Sequence, residues 1–343
     1  MTSIAIIGAG ISGLAAAHVL SDAGHAVTIF EASGEVGGRA TTRRRDGFIY
    51  DSGAQYVKGG GAMSDAWITG RFRVDDLIDI SKPVWVFDSQ GRIQEGDPLQ
   101  NADPKWNYRS GLIALARRMA EGLNVRLDAG VVRVKQAATG WSLFAMQGYF
   151  LGDFEQLLVA IPAGEAAGLV QASEMAGELR DVTCAGLRKA RYNPLISVAL
   201  GYRQRPRTRP YYALVNTDKA HALSWLAWEH EKAAERVPAG AGLLIAQMAP
   251  QYSQEQWNTS DEQLVEDAAE RVATLLDEQL GQPVFRDVQR WRYALPVEKA
   301  SGDEVNGAAL PNGLAFCGDA FVGGRVHLAL EHGVEVAKRM MSD

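Results

Sequence analysis

The feature that most constrains this chain is a glycine pattern set between a short apolar run and an amphipathic one. Ile4, Ala5, Ile6 and Ile7 read as a buried parallel strand, and GAGISG follows at once. Gly8 permits the tight turn, Gly10 lets backbone approach a pyrophosphate without a Cβ in the way, and Gly13 lets the next helix pack closely on the strand. The helix predicted over Ile11 to Ala23 turns Leu14, Ala17 and Leu20 toward a sheet and stops at Gly24 as its C′ residue. Its first residues, Ile11 and Ser12, offer unpaired N–H groups and a positive dipole end to a diphosphate. A second strand, Ala26 to Phe30, ends in Glu31, followed by Ala32, where an acid receives the adenosine ribose hydroxyls. Strand, turn, helix, strand and terminal acid in this order predict a Rossmann-type dinucleotide site. Glu31 would repel a ribose 2′-phosphate, so FAD or NAD fits better than NADP.

Composition narrows the class of partner. The chain has 343 residues, 47% hydrophobic and 22% charged, which describes an ordinary globular protein of about two domains. A formal charge of -6 gives no general attraction to nucleic acid or anionic bilayers. Cys184 and Cys317 are too few for a disulfide framework, and no cysteine or histidine spacing predicts a metal site. The apolar start, Ile4 to Leu20, carries the motif glycines and has no basic segment before it, so it reads as fold rather than leader. No later run reaches the roughly 20 apolar residues of a membrane span. A cytoplasmic protein with a small-molecule substrate is expected; the oligomeric state is left open.

Directly after Glu31 the chain reads ASGEVGGRATTRR, which resembles the glycine-pair motif of the amine oxidase superfamily of flavoproteins. Downstream, LAFCGD followed by a glycine pair and a helix resembles that superfamily's second FAD motif, and LDAGVVRV and LLVAIPAGEA complete the likeness. The resemblance implies non-covalent FAD. Gly38 and Arg39 would meet the diphosphate, and the backbone of Val131 would meet the adenine. Asp319, after Gly318, would receive a ribityl hydroxyl or help position the diphosphate. A final helix beginning near Arg325 and Val326 would aim its N–H groups at the flavin pyrimidine edge, where reduced flavin gathers negative charge. Val326, Leu330, Val334, Ala337 and Met341 recur at helical spacing and predict the buried face of that helix.

Three segments resemble the renalase group of this superfamily, which oxidises mis-reduced isomers of β-NAD(P)H and passes electrons to oxygen: GAQY from Gly53, RWRYALP from Arg290 and CGDAFVGGRVHLALEHG from Cys317. The likeness implies that Gln55, Tyr56 and Trp291 border the isoalloxazine and the substrate cavity. Gln247 stands where renalases carry a histidine, and it can hydrogen-bond but not titrate. The competing enzyme readings are an amine oxidase and a carbon–carbon desaturase of the same superfamily. The first commonly needs a lysine near flavin N5 and the second a membrane-docking apolar segment, and the sequence identifies neither. A flavin-binding sensor is the non-enzyme reading.

The expected fold is α/β: a Rossmann-type FAD/NAD(P)-binding domain over roughly 1–72, 106–165 and 285–343, with a discontinuous α+β substrate domain of mixed or antiparallel sheet over 73–105 and 166–284. Ser110 is the expected N-cap of a helix over Leu112 to Gly122. Ser260 and Gln263 make a capping box for a helix over Asn258 to Leu280, with Leu264, Ala268, Val272 and Leu275 buried. Arg203, Arg205, Arg207 and Arg209 lie in a proline-rich segment read first as a solvated connection and second as a patch steering a phosphate-bearing substrate. His327 and His332, five apart, do not share a helix face and are read as structural.

Overall fold

The computed structural model describes residues 1–342. Its first unit is strand Ser3–Ile7, helix Ile11–Asp22 and strand Ala26–Phe30. These strands lie in a five-stranded parallel sheet ordered Asn124–Arg126, Ala26–Phe30, Ser3–Ile7, Gln156–Val159 and Leu314–Phe316. A parallel sheet needs both faces covered, and the alternation along the first strand shows how this is met. Ile4 and Ile6 enter a core shared with the first and last helices; Ala5 and Ile7 enter a second core on the opposite face. The helix Val326–Met340 crosses the first helix so closely that a Cβ on Gly333 would lie 2.2 Å from the Ser12 carbonyl oxygen.

A seven-stranded sheet forms the second layer system, in the order Phe285–Glu298, Arg191–Tyr202, Gly242–Met248, Leu223–Trp228, Ala213–Asn216, Val84–Phe87 and Ile93–Gln94. Its pairs are antiparallel except that between Ala213–Asn216 and Val84–Phe87. The helix Asp261–Leu276 covers one face through Leu264, Ala268, Val272 and Leu275. The mixed α/β architecture matches the expected fold class. The strand Phe285–Glu298 begins at the expected return point to the nucleotide domain, yet it pairs with Arg191–Tyr202 as an edge of the seven-stranded sheet. The return to the parallel sheet is made by Leu314–Phe316.

Several local expectations are corrected. The helix near 112 runs Ile113–Ala120, and Ser110 does not cap it. Its first N–H groups are taken from far away: Leu112 N–H donates to Asp51 Oδ1 at 2.9 Å and Ile113 N–H to Thr42 Oγ1 at 3.1 Å. Ser260 does accept the Gln263 N–H at 3.4 Å, but Gln263 answers with a side-chain contact to the serine hydroxyl, and the helix stops at a left-handed Asp277. In the last helix Met340, not Met341, closes the buried face, because Met341 lies past the final turn and is exposed.

Candidate active site

Every predicted site residue except Gly13 lines a single cavity of about 1770 Å³. Gly13 lies behind it, where a Cβ would come within 2.2 Å of the Gly8 carbonyl oxygen, so this glycine serves helix-on-strand packing. Gly8 holds φ +104°, which an L side chain rarely adopts, whereas a Cβ on Gly10 would meet nothing within 4 Å. Gly10 thus presents bare backbone to the cavity beside the helix N-terminus, as a diphosphate requires. The glycine pair is fastened to this turn, with Gly37 N–H donating to the Ala9 carbonyl at 2.9 Å.

Glu31 follows the second strand and is held on both oxygens. Ala9 N–H donates to Oε2 at 2.8 Å, while Ser33 N–H and its hydroxyl donate to Oε1 at 2.9 and 2.8 Å. A carboxylate so oriented keeps lone pairs for ribose hydroxyls. Arg39, expected at the diphosphate, commits its guanidinium to Asp319: both contacts are 2.7 Å, and a further N–H donates to the Tyr293 carbonyl at 2.8 Å. Asp319 is nearly buried, so the pair is desolvated and charge-assisted. Gly318 N–H donates to His332 Nδ1 at 3.1 Å, and the His332 ring stacks on Phe321. His332 therefore holds the turn into the Asp319 segment.

At the join between nucleotide turn and seven-stranded sheet, the segment Ser52–Tyr56 forms a wall pinned from three sides. Trp291 Nε1–H donates to the Ser52 carbonyl at 2.9 Å, Gln247 Nε2–H to the Gly53 carbonyl at 2.8 Å, and Ala54 N–H to the Arg39 carbonyl at 3.0 Å. Gln55 turns its own amide back on the Asp51 and Gly53 carbonyls at 2.6 and 3.1 Å. Gln55, Gln247 and Trp291, expected as site residues, thus spend polar groups on holding this wall. Tyr56 packs on Trp225, and burial raises its phenol pKa although Arg325 and Lys58 pull it down. It stays neutral near pH 7.

The carboxylates of the cavity lining are confined to one end. Glu31, Glu35, Glu165 and Asp319 lie in the nucleotide half, together with Arg39 and Arg43. The rest of the lining brings Lys58, Lys219, Arg290, Arg292 and Arg325 and, among the described residues, no carboxylate. Lys58 and Arg290 are paired with Asp103 and Asp261; Arg292, Lys219 and Arg325 have no carboxylate within salt-bridge reach among the described residues. The arginines of 203–209 are not part of this: Arg209 pairs with Glu278 at 3.0 Å, Arg205 donates to the Ala241 carbonyl at 3.1 Å, and none lines the cavity. No metal-ligating cluster occurs among the described residues, both cysteines are buried free thiols, and no described helix is long and apolar enough to cross a membrane.

A Rossmann-type sheet whose glycine turn faces an acid-tipped strand, closed by a distant aspartate and a last helix, defines a dinucleotide-binding oxidoreductase fold. The chain matches the flavin containing amine oxidoreductase family over residues 11–70 and 75–341, and it belongs to that family. The cofactor of this flavin family is FAD, which the cavity's lining fits. It is similar to 4,4'-diapophytoene desaturases of Staphylococcus aureus (38% identical) and Staphylococcus haemolyticus (39%) over 85 residues, a quarter of this chain and 17% of those proteins. Among solved structures it resembles a putative protoporphyrinogen oxidase from Exiguobacterium sp. 255-15 (TM-score 0.79, 16% identity, 99% of both chains). It also resembles reduced UDP-galactopyranose mutase (0.80, 14%, 100% of this chain and 96% of that one) and putrescine oxidase bound to putrescine (0.75, 16%, 100% and 99%). At these identities the likeness is one of fold.

Proposed function

We propose that the protein is a renalase-like oxidase that takes a hydride from a dihydronicotinamide, an isomer of β-NAD(P)H, and passes the electrons to oxygen. The observation that carries this reading is that the carboxylates of the cavity lining are all in its nucleotide half. A substrate half lined by cations and free of carboxylates suits a phosphate-bearing donor and disfavours an alkylammonium. Tyr56, Trp225, Trp291 and Tyr293 supply flat walls against which a dihydropyridine can stack.

FAD supplies the hydride acceptor. The chain's own residues would bind and orient: Glu31 and the Gly8–Ser12 turn the adenosine and diphosphate, and the Ser52–Tyr56 wall the ring system. A dihydropyridine is already electron-rich, so no side chain need remove a proton, and among the described residues the substrate half is lined by no carboxylate or histidine. Lys58 and Lys219 are the lysines lining the cavity, and Lys58 is paired with Asp103.

Anaerobic mixing with aged NADH, pure β-NADH and a panel of amines tests the reading. Flavin bleaching by the aged sample alone is expected; bleaching by amines alone would replace this reading with amine oxidation. Absence of bleaching by all three would favour a flavin-binding sensor.

A further inference from the structure

Beneath the Ser52–Tyr56 wall lie four ionisable side chains with no exposed surface: Asp51, Glu229, Lys232 and Arg236. Asp51 ends the hairpin Thr42–Asp51, the other three come from the helical segments Glu229–Lys232 and Ala234–Arg236, and the four formal charges cancel. Arg236 donates to Asp51 Oδ2 at 2.8 Å, to Asn107 Oδ1 at 2.8 Å and to the Tyr108 carbonyl at 2.7 Å, and it also pairs with Glu229. Burial opposes ionisation of Asp51, but Arg236 and Lys232 outweigh it and hold its carboxyl well below the usual range. A buried ion cluster is often no more stabilising than apolar packing of the same volume, whereas removing one member leaves an uncompensated buried charge.

Its side-chain route to the cavity wall converges on Gln55. Lys232 Nζ donates to Asp51 Oδ2 and to Gln55 Oε1, both at 3.1 Å, and lies in ion-pair contact with Glu229 Oε1 at 2.5 Å. An ammonium only donates, so the Gln55 amide must present its oxygen to Lys232 and its nitrogen to the Asp51 and Gly53 carbonyls. Asn107 Nδ2–H fixes the Gln55 carbonyl at 2.8 Å from the same cluster. Gly53 thereby receives amides from Gln55 and Gln247 together, joining the two layer systems at one carbonyl.

We infer that Lys232 is a positioning residue: by fixing the orientation of the Gln55 amide it sets the shape of the Gly53–Tyr56 wall where the nucleotide and substrate halves of the cavity meet. The inference needs a flavin against this wall and holds whichever substrate the enzyme takes.

Lys232→Met alone leaves excess buried negative charge and is apt to unfold the protein, so the deciding variant is Lys232→Met with Glu229→Gln, which keeps the cluster neutral. In the FAD-loaded protein we expect retained flavin, shifted flavin absorption bands, and flavin reduction slowed roughly tenfold with KM moved far less. Lys232→Gln with Glu229→Gln, which keeps an N–H donor toward Gln55, should recover most of the spectrum. In a double-mutant cycle the Lys232 and Gln55 changes should combine less than multiplicatively, because they share one hydrogen bond while Gln55→Met also removes the donations to the Asp51 and Gly53 carbonyls. A neutral variant with wild-type absorption bands and reduction rate overturns the inference, as does a fully multiplicative combination of the two changes. Sodium dithionite titration gives the flavin potential independently of any substrate, so failure of the dihydronicotinamide reading leaves this test intact.

Discussion

The guanidinium of Arg39 meets both carboxylate oxygens of Asp319 at 2.7 Å across 280 residues of chain. One residue follows the glycine pair that locks onto the Rossmann turn; the other opens the segment leading to the last helix. The pair is therefore a clasp between the two stretches of sequence that carry the flavin motifs.

Asp319→Asn should weaken FAD retention by at least about tenfold, roughly 1.4 kcal/mol, because the half-buried guanidinium is left without its counter-ion. Flavin fluorescence released on dilution measures this directly. Equal retention in Asp319→Asn and wild type would show the clasp to be dispensable.

Gly10→Ala and Gly13→Ala should separate cofactor binding from folding. The added methyl of the first enters open cavity, so the melting temperature of the apoprotein holds while the FAD dissociation constant rises. That of the second collides with the Gly8 carbonyl and should lower stability by about 1–3 kcal/mol, as overpacking does. Differential scanning fluorimetry with and without FAD reads both.

Arg292→Ala and Lys219→Ala should each raise KM for a phosphate-bearing donor at low salt while leaving kcat near wild type. The difference should shrink as ionic strength approaches about 1 M, where screening acts within roughly 3 Å. Steady-state kinetics at two salt concentrations checks it; identical KM values would remove the cationic rim from the argument.

Burial pushes the His230 pKa down to about 4, and Leu243 N–H donates to its Nδ1 at 3.1 Å. A histidine that folds neutral lends its full stability above the ordinary value near 6.5, and that stability drains as pH falls toward 4. Thermal unfolding should therefore shift down through this window, and His230→Asn, which keeps an acceptor, should flatten the slope by at most about 1.4 kcal/mol per pH unit. An unaltered slope would assign the acid sensitivity to other buried histidines, such as His18 and His332.

The parts of the site legible in sequence were those whose signals are local. Gly8, Gly10, Gly13 and Glu31 sit on one strand–turn–helix–strand unit, and Asp319 follows a buried strand directly. What could not be read depends on partners remote in the chain. Ser110 looked like a cap because the real acceptors, Thr42 and Asp51, lie 71 and 61 residues away from the N–H groups they serve. Nothing local in EHEKAAER marks it as buried, yet Glu229, Lys232 and Arg236 are buried, with Asp51 and Asn107 meeting Lys232 and Arg236. The i to i+3 spacing of Glu229 and Lys232 was the available signal, and such pairs are far more often surface ornaments. The arginines of 203–209 followed the same logic in reverse: their charge was visible, and Glu278, which absorbs Arg209, was not.

The crossing of Gly333 over Ser12 also bears on how the coenzyme pocket is completed. The Rossmann turn is built from residues close together in sequence, but the helix Val326–Met340 that seats on it lies far along the chain, so the turn gains this support only once long-range packing is in place.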